Sequence, residues 1–553
     1  MSRLNRRKAA WIAVVALWAL LLAPFFFGAR AAHPATDDFT FAVYTHPTWL
    51  QTHSLPHVIK DAVSYALRTW RDWQGTVTGV IVMALNPAVF SIGSYGAHAV
   101  FLLVLQLIAD FVFLRRMLGT RLRLPRGTWL SLYLLLSAMR LLFLPDIVEG
   151  IYWFNGAWFY TGAQAVALLT LTLADTLCEC LKDGSSPAVR AARWLICCGL
   201  LLALGMDNYI TAMMTAAALF MMALQRAYVS RKQAAGGVCD ADKERAARNE
   251  AESARQRRAA LRTALLLIPV CAGLLLSIAA PGNAVRMAAD GAHESGIAYA
   301  LLSIARTALA ALGYIARFLV RTPLLQLLIA ATPFLVLASQ STASELRRLC
   351  PPVPAILSGF YLILCAMIVP HMYASGYAGS GRVVNMYHDY VLLAAPIAWF
   401  MILLRLRPWT RSLLANAFPH STEALCHTEN GCQAETAQFR RMIRRAKIAY
   451  VALLVCSTVT WLAGGQLANY AKLVGDQLDG TQAAYIAQFQ NEYALCEAAG
   501  PEDDVLLPAW TVQTVTGKMT AYEDATVWTN ESMANYFGVR SVRSVALPEQ
   551  PID

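Results

Sequence analysis

The chain has 553 residues, 57% of them hydrophobic and only 15% charged, with a mean hydropathy of +0.45. These values exclude an ordinary soluble enzyme and imply an integral membrane protein. The net charge of +11 suggests nucleic acid until its distribution is read, because 32 of the 46 Lys and Arg precede the first apolar segment or fall in alternate loops, as the positive-inside rule requires of a membrane protein with no nucleic-acid partner.

Ala9 to Ala29 is uncharged for 21 residues and follows Arg3, Arg6, Arg7 and Lys8, which predicts a first span with the N-terminus inside. A cleaved signal peptide is the competing reading, since Ala-Arg-Ala-Ala near residue 31 weakly resembles a cleavage site. An apolar core longer than the about 7 to 15 residues of such signals favours a retained helix. The first outer loop, residues 30–95, opens on Thr36-Asp37-Asp38-Phe39-Thr40 and holds His33, His46, His53 and His57. Held against a bilayer, the acid pair can take a proton or bind a divalent metal ion; it also suits a plain helix N-terminus. The stretch from Gly75 to Phe90 tempts a second span. Arg115, Arg116, Arg121, Arg123 and Arg126 must lie inside with the N-terminus, so this stretch, broken at Asn86-Pro87, is expected to be interfacial or re-entrant.

Spans are predicted from about Tyr95 to Leu114, Gly127 to Pro145 and Gly156 to Asp175. The outer turn from Asp146 to Tyr160 carries Glu149, Tyr152, Trp153 and Asn155. It reads as an aromatic belt at headgroup level or as a platform for a sugar. Trp194 to Leu224 reads as a short hairpin whose tip, Asp207-Asn208-Tyr209, lies below the outer surface; Asp207 there is a functional candidate or a helix cap. The basic run from Lys243 to Arg262 interleaves Glu244, Glu250 and Glu252 and reads as a solvated helix. Thr263 to Ala280 forms a span ending at Pro281-Gly282-Asn283, with Arg286 just beyond. In Ile297 to Arg321, Arg306, Arg317 and Arg321 fall within about 60° of a helical wheel. Each would cost about 2.5 to 3.5 kcal/mol at the bilayer centre, so residues 297–321 are expected to lie on the outer surface.

Thr322 to Ser339, Pro352 to Pro370, Tyr390 to Leu404 and Tyr450 to Ala463 bring the expected count to about eleven, with the C-terminus outside. The loop from His371 through Gly379-Ser-Gly381 to Arg382 is then outside as well. Residues 465–553 are more polar and predict a helix and two strands, Val505-Leu-Leu-Pro and Val539 to Val545. The expected fold class is therefore an all-α polytopic membrane protein, a transmembrane domain over residues 1–464 with outer interfacial helices and a small mixed α/β outer segment over 465–553. Of 12 cysteines only Cys496 lies outside, so no disulfide framework is indicated, and Cys426-His427 with Cys432 lacks the second ligand pair of a zinc site.

No Walker loop occurs, and no Gly-x-Gly-x-x-Gly follows a strand. Nucleotides are made inside, so a donor used at the outer face must arrive in the lipid. Asp37, Asp38, Glu149 and Asp207, with Arg286 and Arg382 beside glycines, fit sugar transfer from a polyprenyl phosphate. A carboxylate would act as base on an acceptor hydroxyl, and an arginine would hold the leaving phosphate.

The inner N-terminus, the long first outer loop opening on Asp-Asp, the interfacial helices and the polar outer tail resemble GT-C glycosyltransferases. Ala280-Pro281-Gly282-Asn283 with Arg286, Tyr152-Trp153-Phe-Asn155-Gly-Ala and Ser380-Gly381-Arg382 are similar to stretches in a group of bacterial multi-span members without assigned substrate. The resemblance covers about residues 9 to 400, and only the first-loop acid is diagnostic. It implies that Asp37 or Asp38 is the catalytic base or a metal ligand and that the chain sits in the bacterial cytoplasmic membrane. On this reading Arg286 and Arg382 bind the donor phosphate. Glu149, Tyr152, Trp153, Asn155, Asp207 and Asn283 bind sugar or acceptor, the acceptor being a cell-envelope glycan or lipid. The pattern departs at Trp73-Gln74-Gly75-Thr76, where an Asn-Gly-Arg-like turn is expected. An oligosaccharide polymerase or ligase would share the outer arginines without needing the acid pair, and a transporter or flippase should show repeat symmetry that is not seen.

Overall fold

The computed structural model describes residues 3–179, 186–235, 243–289, 296–338, 350–407 and 467–545, with Thr410, Val455, Thr458 and Val459 as isolated positions. Among them, nine helices are long and apolar enough to cross a membrane. The fold is helical and polytopic, with a small C-terminal strand pair, as composition and periodicity lead one to expect.

Helix α1 (Arg3–Gly28) turns Ile12, Leu17 and Leu20 outward and buries Leu22 and Phe25. Four helices build the first loop, α2 (Asp37–Ala42), α3 (His46–Thr52), α4 (Leu55–Asp72) and α5 (Val77–Met83). The longest is α4, which buries Val58, Ala62 and Ala66 and exposes Leu55, Ile59, Val63 and Leu67. Each set recurs every three or four residues, so the helix has two apolar faces, one on the protein and one turned outward. The Gly75 to Phe90 stretch is short helical pieces stopped at Asn86, whose amide donates to the carbonyls of Asp38 and Met83.

Helices α6 (Ala97–Leu114) and α7 (Arg126–Leu142) lead to the aromatic turn and its short α8 (Phe154–Gly156), followed by α9 (Ala163–Glu179). Helices α10 (Pro187–Gly205) and α11 (Tyr209–Ala235) form the Asp207 hairpin. Both arms run past the limits set by the apolar residues, because Pro187 to Arg193 and Gln225 to Lys232 are also helical, and each arm is long enough to cross. Then come α12 (Lys243–Leu265), α13 (Leu267–Ile278), α14 (Gly282–Ala289), α15 (Ile297–Arg321), α16 (Pro323–Ala338), α17 (Val353–Ser375) and α18 (Arg382–Arg405). By length and composition α15 is among the nine, and Arg306 and Arg317 on it are exposed. Helix α18 begins at Arg382 rather than Tyr390, because its polar first two turns are buried against partners. The segments Tyr450 to Ala463 and Cys426 to Cys432 lie outside the described residues, apart from the isolated positions.

Helices α19 (Leu467–Leu478) and α20 (Thr481–Ala498), strand β1 (Asp504–Leu507), helix α21 (Trp528–Phe537) and strand β2 (Ser541–Ser544) form the C-terminal segment. The strands pair in parallel, Val505 opposite Val542. Their core includes Phe489, Tyr493, Trp510 and Val542, and it takes in Phe39 and Ala31 from the first loop. His33 is gripped between the Tyr485 and Tyr493 hydroxyls at 2.6 and 2.8 Å, and burial holds it neutral, with its pKa lowered to about 4. The first loop is thus clamped between the bundle and the C-terminal segment, which brings Asp37 and Asp38 to the junction.

Candidate functional site

The acid pair starts from an unusual backbone. Thr36, the N-cap of α2, has φ 48° and ψ −115°, a conformation that costs a side-chain-bearing residue about 1–3 kcal/mol and that persists where surrounding structure imposes it. The two acids that follow have opposite environments. Asp38 is fully buried, and its Oδ2 accepts the Ala35 backbone N–H at 3.0 Å and the Tyr95 hydroxyl at 2.6 Å. Tyr95 in turn accepts the Phe154 N–H at 2.8 Å. Burial pushes the Asp38 carboxyl up to about 7. Asp37 is partly exposed, and burial raises its pKa against the opposing pull of Arg382, Lys518 and Arg286.

Those three cations arrive from distant parts of the chain. Arg382 opens α18, and its backbone N–H donates to Glu149 Oε2 at 3.1 Å. Lys518 Nζ reaches Glu149 Oε1 at 3.1 Å from the irregular stretch between β1 and α21. Burial favours the neutral form of Glu149, but Arg382 and Lys518 outweigh it and hold the carboxylate below its usual range. The Trp153 ring lies beneath both cations, 4.9 Å from the Arg382 guanidinium and 3.5 Å from Lys518 Nζ, and its indole N–H donates to the Ala35 carbonyl at 3.2 Å. A cation over an aromatic face is stabilised by the ring quadrupole.

Two features set the position of Arg382. Gly381 has φ 48°, and a Cβ there would strike the Glu149 carboxylate, so glycine is required twice over. One turn into α18, Asn385 accepts the Asp146 N–H at 2.9 Å and donates to the Asp146 carbonyl at 2.7 Å. Asp146 Oδ1 then accepts the Glu149 N–H at 2.9 Å. This polar ladder fixes Glu149 against the start of α18.

The other expected site residues are placed as follows. Tyr152 is buried outside the cluster, its hydroxyl donating to the Phe25 carbonyl at 2.8 Å. Asn155 is buried beside Trp153, and neither its amide oxygen nor its nitrogen has a hydrogen-bond partner. Asn283 accepts the Gly75 N–H at 3.0 Å and donates to the Ser277 carbonyl at 2.8 Å. Arg286 donates to the Gln74 side chain. The Trp73-Gln74-Gly75 turn is thereby pinned to the start of α14, and a Cβ on Gly282 would collide with the Trp73 backbone. Asp207 is buried at the tip of its hairpin, where burial pushes it up to about 8, and its Oδ2 accepts from Asn208 at 3.2 Å. His46 meets the Val89 carbonyl and His57 meets Ser54, so the loop histidines are dispersed. Among the described residues no three His, Cys, Asp or Glu side chains converge as a metal site.

The structure therefore brings Asp37, Glu149, Trp153, Arg286 and Arg382 into one electrostatic neighbourhood and adds Lys518, Asp146 and Asn385, which sequence reasoning missed. Asp146 and Asn385 could have been suspected from their position beside Glu149 and Arg382. Lys518 carries no local signal.

No family model and no curated protein matches the chain. Among solved structures the chain is similar to ArnT from Cupriavidus metallidurans in the apo state, with 15% identity, 98% of this chain and 86% of that chain covered, and a TM-score of 0.39. It is similar to the same protein bound to undecaprenyl phosphate, with 14% identity, 97% and 86% covered, and a TM-score of 0.37.

Proposed function

We propose that the chain is a membrane glycosyltransferase of the GT-C type, moving a sugar from a polyprenyl-phosphate donor to a cell-envelope glycan or lipid acceptor at the outer face of the bacterial cytoplasmic membrane. The observation that carries the reading is that Glu149 and the Trp153 face hold Arg382 and Lys518 side by side, where these cations oppose the upward shift that burial gives the partly exposed Asp37 carboxyl. Asp37 accepts the proton of the acceptor hydroxyl, whose oxygen bonds to the anomeric carbon as the bond from that carbon to the phosphate oxygen breaks. A base with a raised pKa is suited to that transfer near neutral pH. The phosphate leaves with an added negative charge, which Arg382 and Lys518 stabilise by charge-assisted hydrogen bonds. Glu149 holds both cations in place, and Trp153 offers a flat apolar face. Asp38 anchors α2 through Tyr95 and stays out of the proton transfer.

The test uses the full chain in nanodiscs, with polyprenyl-phosphate sugars drawn from host membranes. Asp37→Asn should fold normally and lose at least about 100-fold in transfer, the effect expected on removing a general base. Arg382→Lys keeps the charge but loses the planar guanidinium, and it should weaken binding of undecaprenyl phosphate. Full transfer by both variants would overturn the assignment. The reading routes no step through a metal ion, since among the described residues no three His, Cys, Asp or Glu side chains converge on the site, and it predicts that EDTA leaves transfer intact.

A further inference from the structure

Two cavities adjoin in the bundle, and the arginine-lined one lies at the end opposite Asp37. The larger, about 800 Å³, lies among α9, α11, α17 and α18 and is lined mainly by apolar side chains such as Leu168, Met214, Met221, Ile363 and Ile397. The smaller, about 310 Å³, is lined mostly by polar and charged side chains, and Arg121, Gln225 and Arg226 line both. The described residues lining the two cavities include six arginines, Arg116, Arg121, Arg123, Arg226, Arg231 and Arg255, against three carboxylates, Asp175, Glu179 and Glu252. Some of that charge is internally paired. Arg116 meets Asp175 at 2.6 Å, Arg121 meets Glu179 at 2.7 Å and Arg226 meets Asp175 at 2.8 Å. Arg255 meets Glu252 at 3.5 Å, and Arg123 has a partner of its own; among the described lining residues the other five arginines still outnumber the three carboxylates by two. The long apolar compartment and the cationic polar one therefore form a single amphipathic site. The larger cavity is lined from Gln164, in the first turn of α9, to Asp175, so its arginine-lined mouth lies about 17 Å further along that helix, away from the Asp37 cluster.

We infer that this site binds an anionic glycerophospholipid of the bilayer, one acyl chain in the apolar cavity and the phosphate at the arginine-lined mouth. The volume suits a flexible chain rather than a protein segment of any length. Excess positive charge between helices, at the end of the bundle where basic residues concentrate, selects an anionic headgroup over a zwitterionic one. A bilayer phospholipid is the source because it is the abundant anionic lipid at that surface. The proposal does not depend on the Asp37 chemistry.

Gly359 gives a clean test. It lines the larger cavity, and a Cβ built on it meets only Met221 Sδ at 3.9 Å, an ordinary contact, so a leucine there starts without backbone conflict and takes up space at the cavity wall. It also replaces glycine in a helix interior, which favours folding. The purified full chain is titrated with phosphatidylglycerol or phosphatidylcholine and read by native mass spectrometry. Wild type should bind phosphatidylglycerol at least tenfold more tightly than phosphatidylcholine. Gly359→Leu should lose at least tenfold of that affinity, and Arg231→Gln, at an exposed arginine of the mouth, should reduce the preference for the anionic lipid. Asp37→Asn should bind phosphatidylglycerol as wild type does, which separates this result from the fate of the transferase reading. Equal binding of the two lipids, unchanged binding by Gly359→Leu, or a peptide or prenyl phosphate retained in place of phospholipid would each overturn the proposal.

Discussion

Two charged clusters share helix α18 and behave in opposite ways. Seven residues below Arg382, Asp389 is buried with Arg140 of α7 and Asp110 of α6; each of the three is 1% exposed. Arg140 Nη2 reaches Asp389 Oδ2 at 2.7 Å, its Nη1 meets Asp110 Oδ1, and Gln106 donates to Asp389 at 3.3 Å. This cluster is closed, sealed in the bundle with its charges turned on one another. The Asp37 cluster is open, with partly exposed members and cations facing an acid from three remote segments. Arg382, Asn385 and Asp389 recur at helical spacing on one face of α18, and all three engage α7 or the turn that follows it. The closed cluster sets the register in which the open one is assembled, so charge in this protein does two jobs on a single helix face.

The sharpest way to break the comparison is to remove Asp389. Asp389→Ala leaves Arg140 with a single carboxylate deep in the bundle, and breaking a buried ion pair from one side costs about 3–5 kcal/mol. The variant should be lost from membranes or melt at a markedly lower temperature, whereas Asp37→Asn should melt like wild type. A normally stable Asp389→Ala would mean that the closed cluster does not hold the helix.

Much of the fold was legible because apolar runs of spanning length are punctuated by arginines, and the strand pair was legible from Val505-Leu-Leu and Val539 to Val545. The full hairpin arms and the first turns of α18 were not. The start of α10 is exposed helix that apolar residues do not mark, whereas Arg226 of α11 and Asn385 and Asp389 of α18 are buried by partners that a single segment does not reveal. In the site, the Asp-Asp pair, Glu149, Trp153 and Arg382 stood out by composition. What sequence left open was how the two acids are placed: Asp38 is buried against Tyr95 and Asp37 is partly exposed. Lys518 was invisible because it lies 369 residues from Glu149, in a stretch without regular structure. Tyr152 illustrates the converse, an aromatic that looks like a ligand platform and is spent on Phe25.

The two acids can be separated by pH. The folded-state pKa of Asp38, about 7, lies above the ordinary value near 3.8. The folded protein therefore binds the proton more tightly than the unfolded chain. Its contribution to stability is full below about pH 4 and is lost as pH rises through 7, a loss on the order of a few kcal/mol. Asp38→Asn mimics the neutral acid, so thermal melts across pH 4 to 7 should flatten in this variant relative to wild type. An unchanged slope would show that Asp38 is ionised in the folded protein and would remove the distinction drawn between it and Asp37.

The smallest effect expected is at Lys518, and it sharpens the account of the open cluster. Lys518 stands in contact with Glu149 and Trp153 and within electrostatic reach of Asp37. Lys518→Met removes the charge and keeps much of the apolar stem. Two consequences should appear together. Binding of undecaprenyl phosphate should weaken by about tenfold, the loss of one charge-assisted contact. The acid limb of the pH–rate profile should also move to higher pH, because Lys518 is one of the cations that lower the pKa of Asp37 and the base must be ionised to act. Lys518→Arg should restore the limb, since the positive charge returns. A purely structural tie between the C-terminal segment and Glu149 would weaken binding or stability without moving the profile, so an unshifted limb in Lys518→Met would remove Lys518 from the proposed site.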